Sequence, residues 1–181
     1  RLIPDGIPTL LMSPCSSQRA RNWRNWSIEN YAQLARHARE EWGMRILLTG
    51  GNTELEQHYG AQISALSGAV NLVGQTNLKQ LLALIHRATA VIAPDSGPVH
   101  LATTVGTPVI GLYASTNPAR TGPALQPQWT VNKYPAALYA EGKRIETAEW
   151  GERVRRPDVM DLIGLDDVLE KLQLLMSNKP M

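Results

Sequence analysis

Short apolar segments alternate with segments of helical periodicity over the first 113 residues of the chain. Apolar runs at 9–13, 44–49, 70–73, 90–93 and 109–113 are typical of buried strands. Between these runs, apolar residues recur every three or four positions, as in a helix with one face on a core. Strands that are apolar throughout and joined by helices predict an α/β domain, a doubly wound parallel sheet covered on both faces.

Capping residues indicate where these helices begin and end. Ser27 is a suitable N-cap for the first helix, and Gly43 is a suitable end for it. Thr53 and Glu56 have the spacing of a capping box at the start of the second helix. A third helix follows the strand at 70–73, and a short one is predicted from about 97 to 105. The apolar stripe predicted for the second helix consists of Leu55, Tyr59, Ile63 and Leu66.

The alternation ends after Ser115. Residues 117–165 contain five prolines and no sustained period, so we predict irregular structure there. A helical stripe returns at 166–176, through Val168, Leu169, Leu172 and Leu175. A helix of this kind is stable only when its apolar stripe is buried. We therefore expect it either to fold back on the sheet domain or to pack against a second copy of the chain.

Composition narrows the class of protein. The chain is 43% hydrophobic, which excludes a disordered chain, and it has no apolar run long enough to span a membrane. Cys15 is the only cysteine, so no internal disulfide or thiolate cluster forms within one chain. The formal charge of +2 argues against a dedicated nucleic-acid binder. Because residues 1–8 begin with Arg1 and resemble a linker, we expect the chain to be part of a longer protein.

The loop after the first predicted strand is basic. Residues 14–26 contain Arg19, Arg21 and Arg24 and no acidic residue, with the hydroxyls of Ser16 and Ser17 beside them. Ligands of open parallel sheets bind beyond the carboxyl ends of the strands, and guanidinium groups suit phosphate. The start of the following helix adds partial positive charge. These features favour an anion-binding loop, and the alternative is a solvated basic loop whose tryptophans cover the core.

The loop after the fourth predicted strand has a second anion-binding pattern. Asp95 and Ser96 can cap the following helix, and Gly97 allows a ligand to approach the backbone. Pro98 suits the first turn, and His100, about one turn into the helix, could donate to a phosphate oxygen. The alternative is a well-capped helix with a packed histidine.

Several segments together resemble a known family, the heptosyltransferases of glycosyltransferase family 9. The similarity runs in order from about Pro14 to Pro123, and it corresponds to the donor-binding half of these enzymes. Its most specific part is the pattern of aspartate, hydroxyl, glycine and histidine at Asp95 to His100. The segments that carry the resemblance are 24–27, 31–35, 47–51, 94–102, 106–113 and 114–123.

The resemblance implies roles for individual residues. Arg24 stands where the family usually has lysine before x-Trp, and it would contact the donor diphosphate. Ser16 and Ser17 correspond to phosphate-binding hydroxyls, and an acidic residue near the ribose corresponds to Glu54 or Glu56. Glu56 could instead be occupied by its capping box. The residues that would hold the diphosphate at a helix start are Asp95, Ser96, Gly97 and His100.

The resemblance also implies an enzyme with two Rossmann-like halves, of the GT-B type. Residues 1–8 would be the interdomain linker and 9–124 the nucleotide-sugar-binding domain, followed by an irregular segment and a C-terminal helix at 125–181. Such enzymes transfer heptose from ADP-heptose to the inner core of lipopolysaccharide, without a cofactor or tightly held metal. The general base is expected in the other half, so this chain alone would bind donor without turnover. The expected location is cytoplasmic, with the whole enzyme at the inner membrane.

Two other functions stay open at this point. One is a nucleotide-sugar epimerase or another transferase of the same two-half architecture, because a fold does not determine the chemistry. The other is a non-catalytic nucleotide-binding module. Binding of ADP in preference to UDP and CDP would favour the heptosyltransferase.

Overall fold

The computed structural model describes residues 2–16 and 22–178, and it contains one six-stranded sheet in the order β3-β2-β1-β4-β5-β6. Every neighbouring pair of strands is parallel. Helices cover both faces, so the predicted doubly wound parallel sheet is confirmed. The strands are β1 Thr9–Met12, β2 Arg45–Leu48, β3 Val70–Asn71, β4 Ala90–Pro94, β5 Val109–Tyr113 and β6 Val131–Asn132.

Seven α-helices connect and follow these strands in the described part of the chain. They are α1 Ile28–Trp42, α2 Glu54–Ser67, α3 Leu78–Arg87, α4 Gly97–Thr104, α5 Pro118–Thr121, α6 Tyr134–Ala140 and α7 Leu165–Ser177. Two short 3-10 turns lie at Pro127–Trp129 and Val159–Leu162. No described helix is both long enough and apolar enough to cross a membrane.

The predicted helix caps are confirmed for the first two helices. The Ser27 hydroxyl accepts a hydrogen bond from the Asn30 amide, and Gly43 ends α1 in the left-handed conformation with φ 59°. The Thr53 hydroxyl accepts a hydrogen bond from the Glu56 amide, and the Glu56 carboxylate accepts one from the Thr53 amide. These two bonds form the predicted capping box.

The predicted apolar stripe of α2 is confirmed at Ile63, which is buried, and at Tyr59, which packs against the core, but it is wrong at its two leucines. Leu55 and Leu66 are 48% and 47% exposed. Apart from Ile63, the face that packs carries small or polar residues, because α2 approaches β3 closely at Gly60, where an added Cβ would lie 2.7 Å from Asn71 and Val73. A backbone contact this close depends on the absence of a side chain, and hydrophobicity alone does not indicate it. The buried residues of α2 are Glu56, Gly60, Ile63 and Ser67.

The tail is more ordered than the sequence predicts. The sixth strand pairs with β5 at Leu112 and Val131, within the stretch expected to be irregular. The stripe of α7 is buried through Val168, Leu172 and Leu175, in the same core as Leu10 of β1. Of the two outcomes expected for this helix, the structure therefore has the first, in which it folds back on the sheet domain. Burial of the stripe within the chain removes the reason for self-association through it.

Candidate functional site

The strand order reverses between β1 and β4. From β1 the chain passes through α1 to β2 on one side, and from β4 it passes through α4 to β5 on the other side. The loops that leave the carboxyl ends of β1 and β4 therefore diverge and open a crevice between them. These are the two loops in which the sequence predicts anion binding.

Arg24 and Asp95 join these two loops. The Arg24 Nη1 atom donates to the Asp95 carbonyl oxygen at 3.1 Å and lies 3.6 Å from a carboxylate oxygen of Asp95. The side chains are 20% and 9% exposed, so the pair is largely shielded from water. The contact with Asp95 holds the guanidinium group of Arg24 next to the start of α4, where the helix presents partial positive charge.

The first turn of α4 has no side-chain cap, contrary to the prediction for Asp95 and Ser96. Ser96 has the extended backbone of an N-cap, but its hydroxyl donates to the Pro94 carbonyl at 2.9 Å instead of capping the helix. Gly97 is exposed, and nothing lies within 4 Å of the position that a Cβ would occupy. The helix start is therefore open to an anion at its backbone.

His100 is exposed one turn further along α4. This exposure rules out the packed-histidine alternative. His100 does not line the neighbouring cleft at this edge of the sheet, whereas Pro98 and Leu101 do. Its side chain is thus available at the surface beside the helix start.

A cleft of about 410 Å³ opens at this edge of the sheet. Glu56, Ser96 and Gly97 are the predicted site residues that line it. Leucine side chains form an apolar wall of the cleft, and the sequence analysis did not predict it: Leu78, Leu81 and Leu101. The order of elements could have indicated it, because α3 follows β3 and therefore begins at the same edge of the sheet. Leu78 on this wall is 67% exposed. The other lining residues are Ser13, Cys15, Gly50, Gly51, Thr76, Asn77 and Pro98.

The Glu56 carboxylate, which is buried, organises the loop after β2. One carboxylate oxygen accepts from the Gly51 amide at 2.8 Å, and the other accepts from the Thr53 hydroxyl at 2.7 Å. The capping role that competed with ribose binding is therefore present in the structure. Glu54 is exposed and does not line the cleft.

The Ser16 hydroxyl in the loop after β1, which was predicted to bind phosphate, has a partner within the loop. Ser16 is 2% exposed, and its hydroxyl donates to the Asn22 side-chain oxygen at 2.8 Å, so this hydroxyl is not presented to the cleft. Ser17, with Arg19 and Arg21, lies outside the described residues. Burial and the nearby Glu56 carboxylate raise the pKa of Cys15 to about 12, which keeps the thiol neutral and unsuited to nucleophilic attack.

Comparison with known proteins gives consistent similarities. The model of glycosyltransferase family 9 (heptosyltransferase) matches residues 3–152. A curated relative, the lipopolysaccharide core heptosyltransferase OpsX of Haemophilus influenzae, is 37% identical over 169 residues, which cover 92% of this chain and 48% of the relative. The chain thus spans about half the length of this relative.

Solved structures share the fold. Escherichia coli ADP-heptose lps heptosyltransferase II superposes with a TM-score of 0.72 at 24% identity, covering 97% of this chain and 48% of that one. The iron-containing dodecameric heptosyltransferase TibC, solved with ADP-D-beta-D-heptose, superposes with a TM-score of 0.60 at 14% identity, covering 94% and 46%. At these identities the likeness concerns the fold alone.

Proposed function

The chain belongs to glycosyltransferase family 9, and from this premise we propose that it is the donor-binding part of a heptosyltransferase that takes ADP-heptose. The observation that carries the proposal is the Arg24 guanidinium, held 3.1 Å from the Asp95 carbonyl beside the uncapped start of α4. The Arg24 cation and the open start of α4 lie side by side, and together they suit the charge of a diphosphate. Membership of the family favours sugar transfer over the epimerase and the non-catalytic module.

We propose that the nucleoside lies in the cleft of about 410 Å³ beside α4. Leu78, Leu81 and Leu101 offer an apolar wall for a planar base. The Glu56 oxygen that accepts from the Gly51 amide retains one acceptor position, whereas the other oxygen already accepts from both the amide and the hydroxyl of Thr53. We propose that the first oxygen accepts from a ribose hydroxyl at the mouth of the loop. Glu54 is the weaker candidate, because it is exposed and outside the cleft.

In sugar transfer from such a donor, negative charge develops on the diphosphate as it leaves. Donors that are already in place stabilise this charge without reorganisation. Arg24 and the backbone of α4 at Gly97 would have this role, with Asp95 orienting the guanidinium group and His100 adding a donor at the surface. We propose that the base for the acceptor hydroxyl comes from the part of the family fold that this chain does not span.

We propose further that the acceptor is the inner core of lipopolysaccharide and that the whole enzyme works at the cytoplasmic face of the inner membrane. The name of the relative OpsX supports the acceptor class. We propose that this chain holds no resident metal, although the solved structure of TibC is described as iron-containing. Among residues 2–16 and 22–178, no group of three or more His, Cys, Asp or Glu side chains is placed to hold one. Metal analysis of the purified chain tests this point.

Titration calorimetry of the 181-residue chain with ADP, UDP and CDP tests the proposed function. We expect ADP to bind with the highest affinity. Equal or tighter binding of UDP or CDP would contradict the assignment of the donor. Absence of binding to all three would contradict the donor-binding role.

Substitution of Gly97 by alanine is expected to weaken ADP binding by about tenfold without loss of stability. The free chain has open space for the new methyl group, whereas a diphosphate against this backbone would contact it. Calorimetry gives the Kd, and thermal unfolding gives the stability. Gly151→Ala is the matched control, because that position is equally open and lies outside the cleft. An unchanged Kd for Gly97→Ala would remove the helix start from the site.

Substitution of His100 by alanine is expected to lower ADP affinity by about two- to tenfold, the scale of one hydrogen bond. Because the side chain is exposed, stability should change by less than about 0.5 kcal/mol. His58→Ala on α2, also exposed, serves as control and should leave the affinity unchanged. Equal affinities of both variants would show that His100 does not touch the diphosphate.

A further inference from the structure

The side chain of Asn22 has four hydrogen-bond contacts within the loop after β1. Its oxygen accepts from the Ser16 hydroxyl at 2.8 Å and from the Arg24 amide at 3.0 Å. Its nitrogen donates to the Ser16 carbonyl at 2.6 Å and to the side-chain oxygen of Asn25 at 3.1 Å. The amide group of one residue is thus fully used in local bonds.

These bonds join the two ends of the loop between β1 and α1, near Ser16 and near Arg24. Ser16 lies after β1, and Arg24 lies eight positions later, four residues before the first residue of α1. Asn25 adds a further link, because its side-chain oxygen also accepts from the Ser16 amide at 2.9 Å. The backbone from which Arg24 extends is therefore tied to Ser16, which lies four residues beyond the end of β1.

The bonding pattern requires a carboxamide at position 22. An aspartate could accept from the Ser16 hydroxyl and the Arg24 amide but could not donate to the Ser16 carbonyl or to Asn25. A serine or alanine is too short to make both sets of bonds. Residue 22 must therefore carry hydrogen-bond donors and an acceptor on one planar group, and a polar side chain of another kind would not be sufficient.

We propose that Asn22 is a positioning residue, which presets the backbone of Arg24 so that its guanidinium group reaches Asp95 and the bound diphosphate. This inference rests on the proposed function. Arg24 has a long side chain, and it can present its charge at one place only if its backbone is fixed. The bond from the Arg24 amide to Asn22 provides this fixation, and the contact with Asp95 shows where the side chain arrives.

Asn22→Ala is expected to raise the Kd for ADP about tenfold, because binding must then order the Arg24 loop. Asn22→Asp should also weaken binding, since it loses both donated bonds. The matched control is Asn71→Ala, which removes a similar bond, from the Val73 amide to the Asn71 side chain, at the end of β3 and outside the cleft. We expect the control to keep the Kd of the unaltered chain even if its stability falls, so it separates loss of stability from loss of positioning.

A double-mutant cycle with Arg24→Ala distinguishes positioning from a direct contact. If Asn22 acts through Arg24, Asn22→Ala should add little to the loss already caused by Arg24→Ala. Additive losses, or an unchanged Kd for Asn22→Ala, would overturn the inference while ADP binding by the unaltered chain upholds the proposed function. Absence of ADP binding by the unaltered chain would overturn both.

Amide hydrogen exchange of the free chain gives a readout that needs no nucleotide. In Asn22→Ala, the Ser16 and Arg24 amides should exchange faster, and amides of the β1 strand should not. Unchanged exchange at Arg24 would overturn the inference regardless of the binding data.

Discussion

Substitution of Trp26 by alanine is expected to destabilise the chain by about 3–5 kcal/mol. Its side chain is fully buried, and its indole nitrogen donates to the Ile163 carbonyl at 2.8 Å. The ring also packs edge to face against Tyr31, with centroids 5.1 Å apart. The substitution leaves a large cavity and an unpaired carbonyl between the start of α1 and the segment before α7. Equilibrium unfolding in urea measures the effect.

Two variants separate the contributions to this loss. Trp26→Phe retains most of the buried ring but not the bond to Ile163, so we expect a smaller loss of about 1–3 kcal/mol. Trp150→Ala is the control, because Trp150 is 65% exposed and its removal should change stability by less than about 0.5 kcal/mol. Equal unfolding midpoints for Trp26→Ala and Trp150→Ala would show that Trp26 does not join these segments.

Features determined by neighbouring residues could be predicted from the sequence. The caps at Ser27 and Gly43 depend on local backbone geometry, and both lie where the pattern indicates. The apolar runs predict the first five strands for the same reason, since a strand buried on both faces is apolar throughout. The last helix was predicted from its own stripe, but the pattern could not decide what covers it.

Features that depend on distant contacts could not be predicted in this way. The sixth strand has only two residues, Val131–Asn132, and exists because β5 offers a free edge to pair with. Trp26 bonds to a carbonyl 137 positions away, and Arg24 bonds to one 71 positions away. The sequence placed Arg24 and Asp95 at one sheet edge, whereas their direct contact comes from the tertiary structure.

The same distinction applies to the candidate site. Anion-binding loops have a local signature, in which basic or glycine residues follow a strand, and anion binding in both loops is a prediction made from this signature. The apolar wall at Leu78 has no such signature, because an exposed leucine at a helix start is also common without function. The hydroxyl of Ser16 was assigned to phosphate, but Asn22 occupies it through a bond that spacing does not indicate.

Substitution of Arg24 by alanine is expected to weaken ADP binding by about 1.5–3 kcal/mol, the scale of a hydrogen bond to a charged group. In our proposal its guanidinium group donates to the diphosphate in a largely shielded place, where the pair with Asp95 already orients it. The same substitution leaves the Asp95 carboxylate, 9% exposed, without its ion-pair partner, so some stability is also lost. Calorimetry must therefore be carried out well below the unfolding midpoint of the variant.

Two further variants separate charge from geometry. Arg87→Ala removes the same charge at the end of α3, where Arg87 pairs with Asp5 at 2.8 Å, and it should leave the Kd unchanged. Arg24→Lys keeps the charge without the planar fork, so it should retain part of the affinity that alanine loses. If Arg24→Ala and Arg87→Ala bound ADP equally well, the cation in the first loop would not serve the diphosphate. The open start of α4 and His100 beside it would then remain as the described elements of the proposed phosphate site.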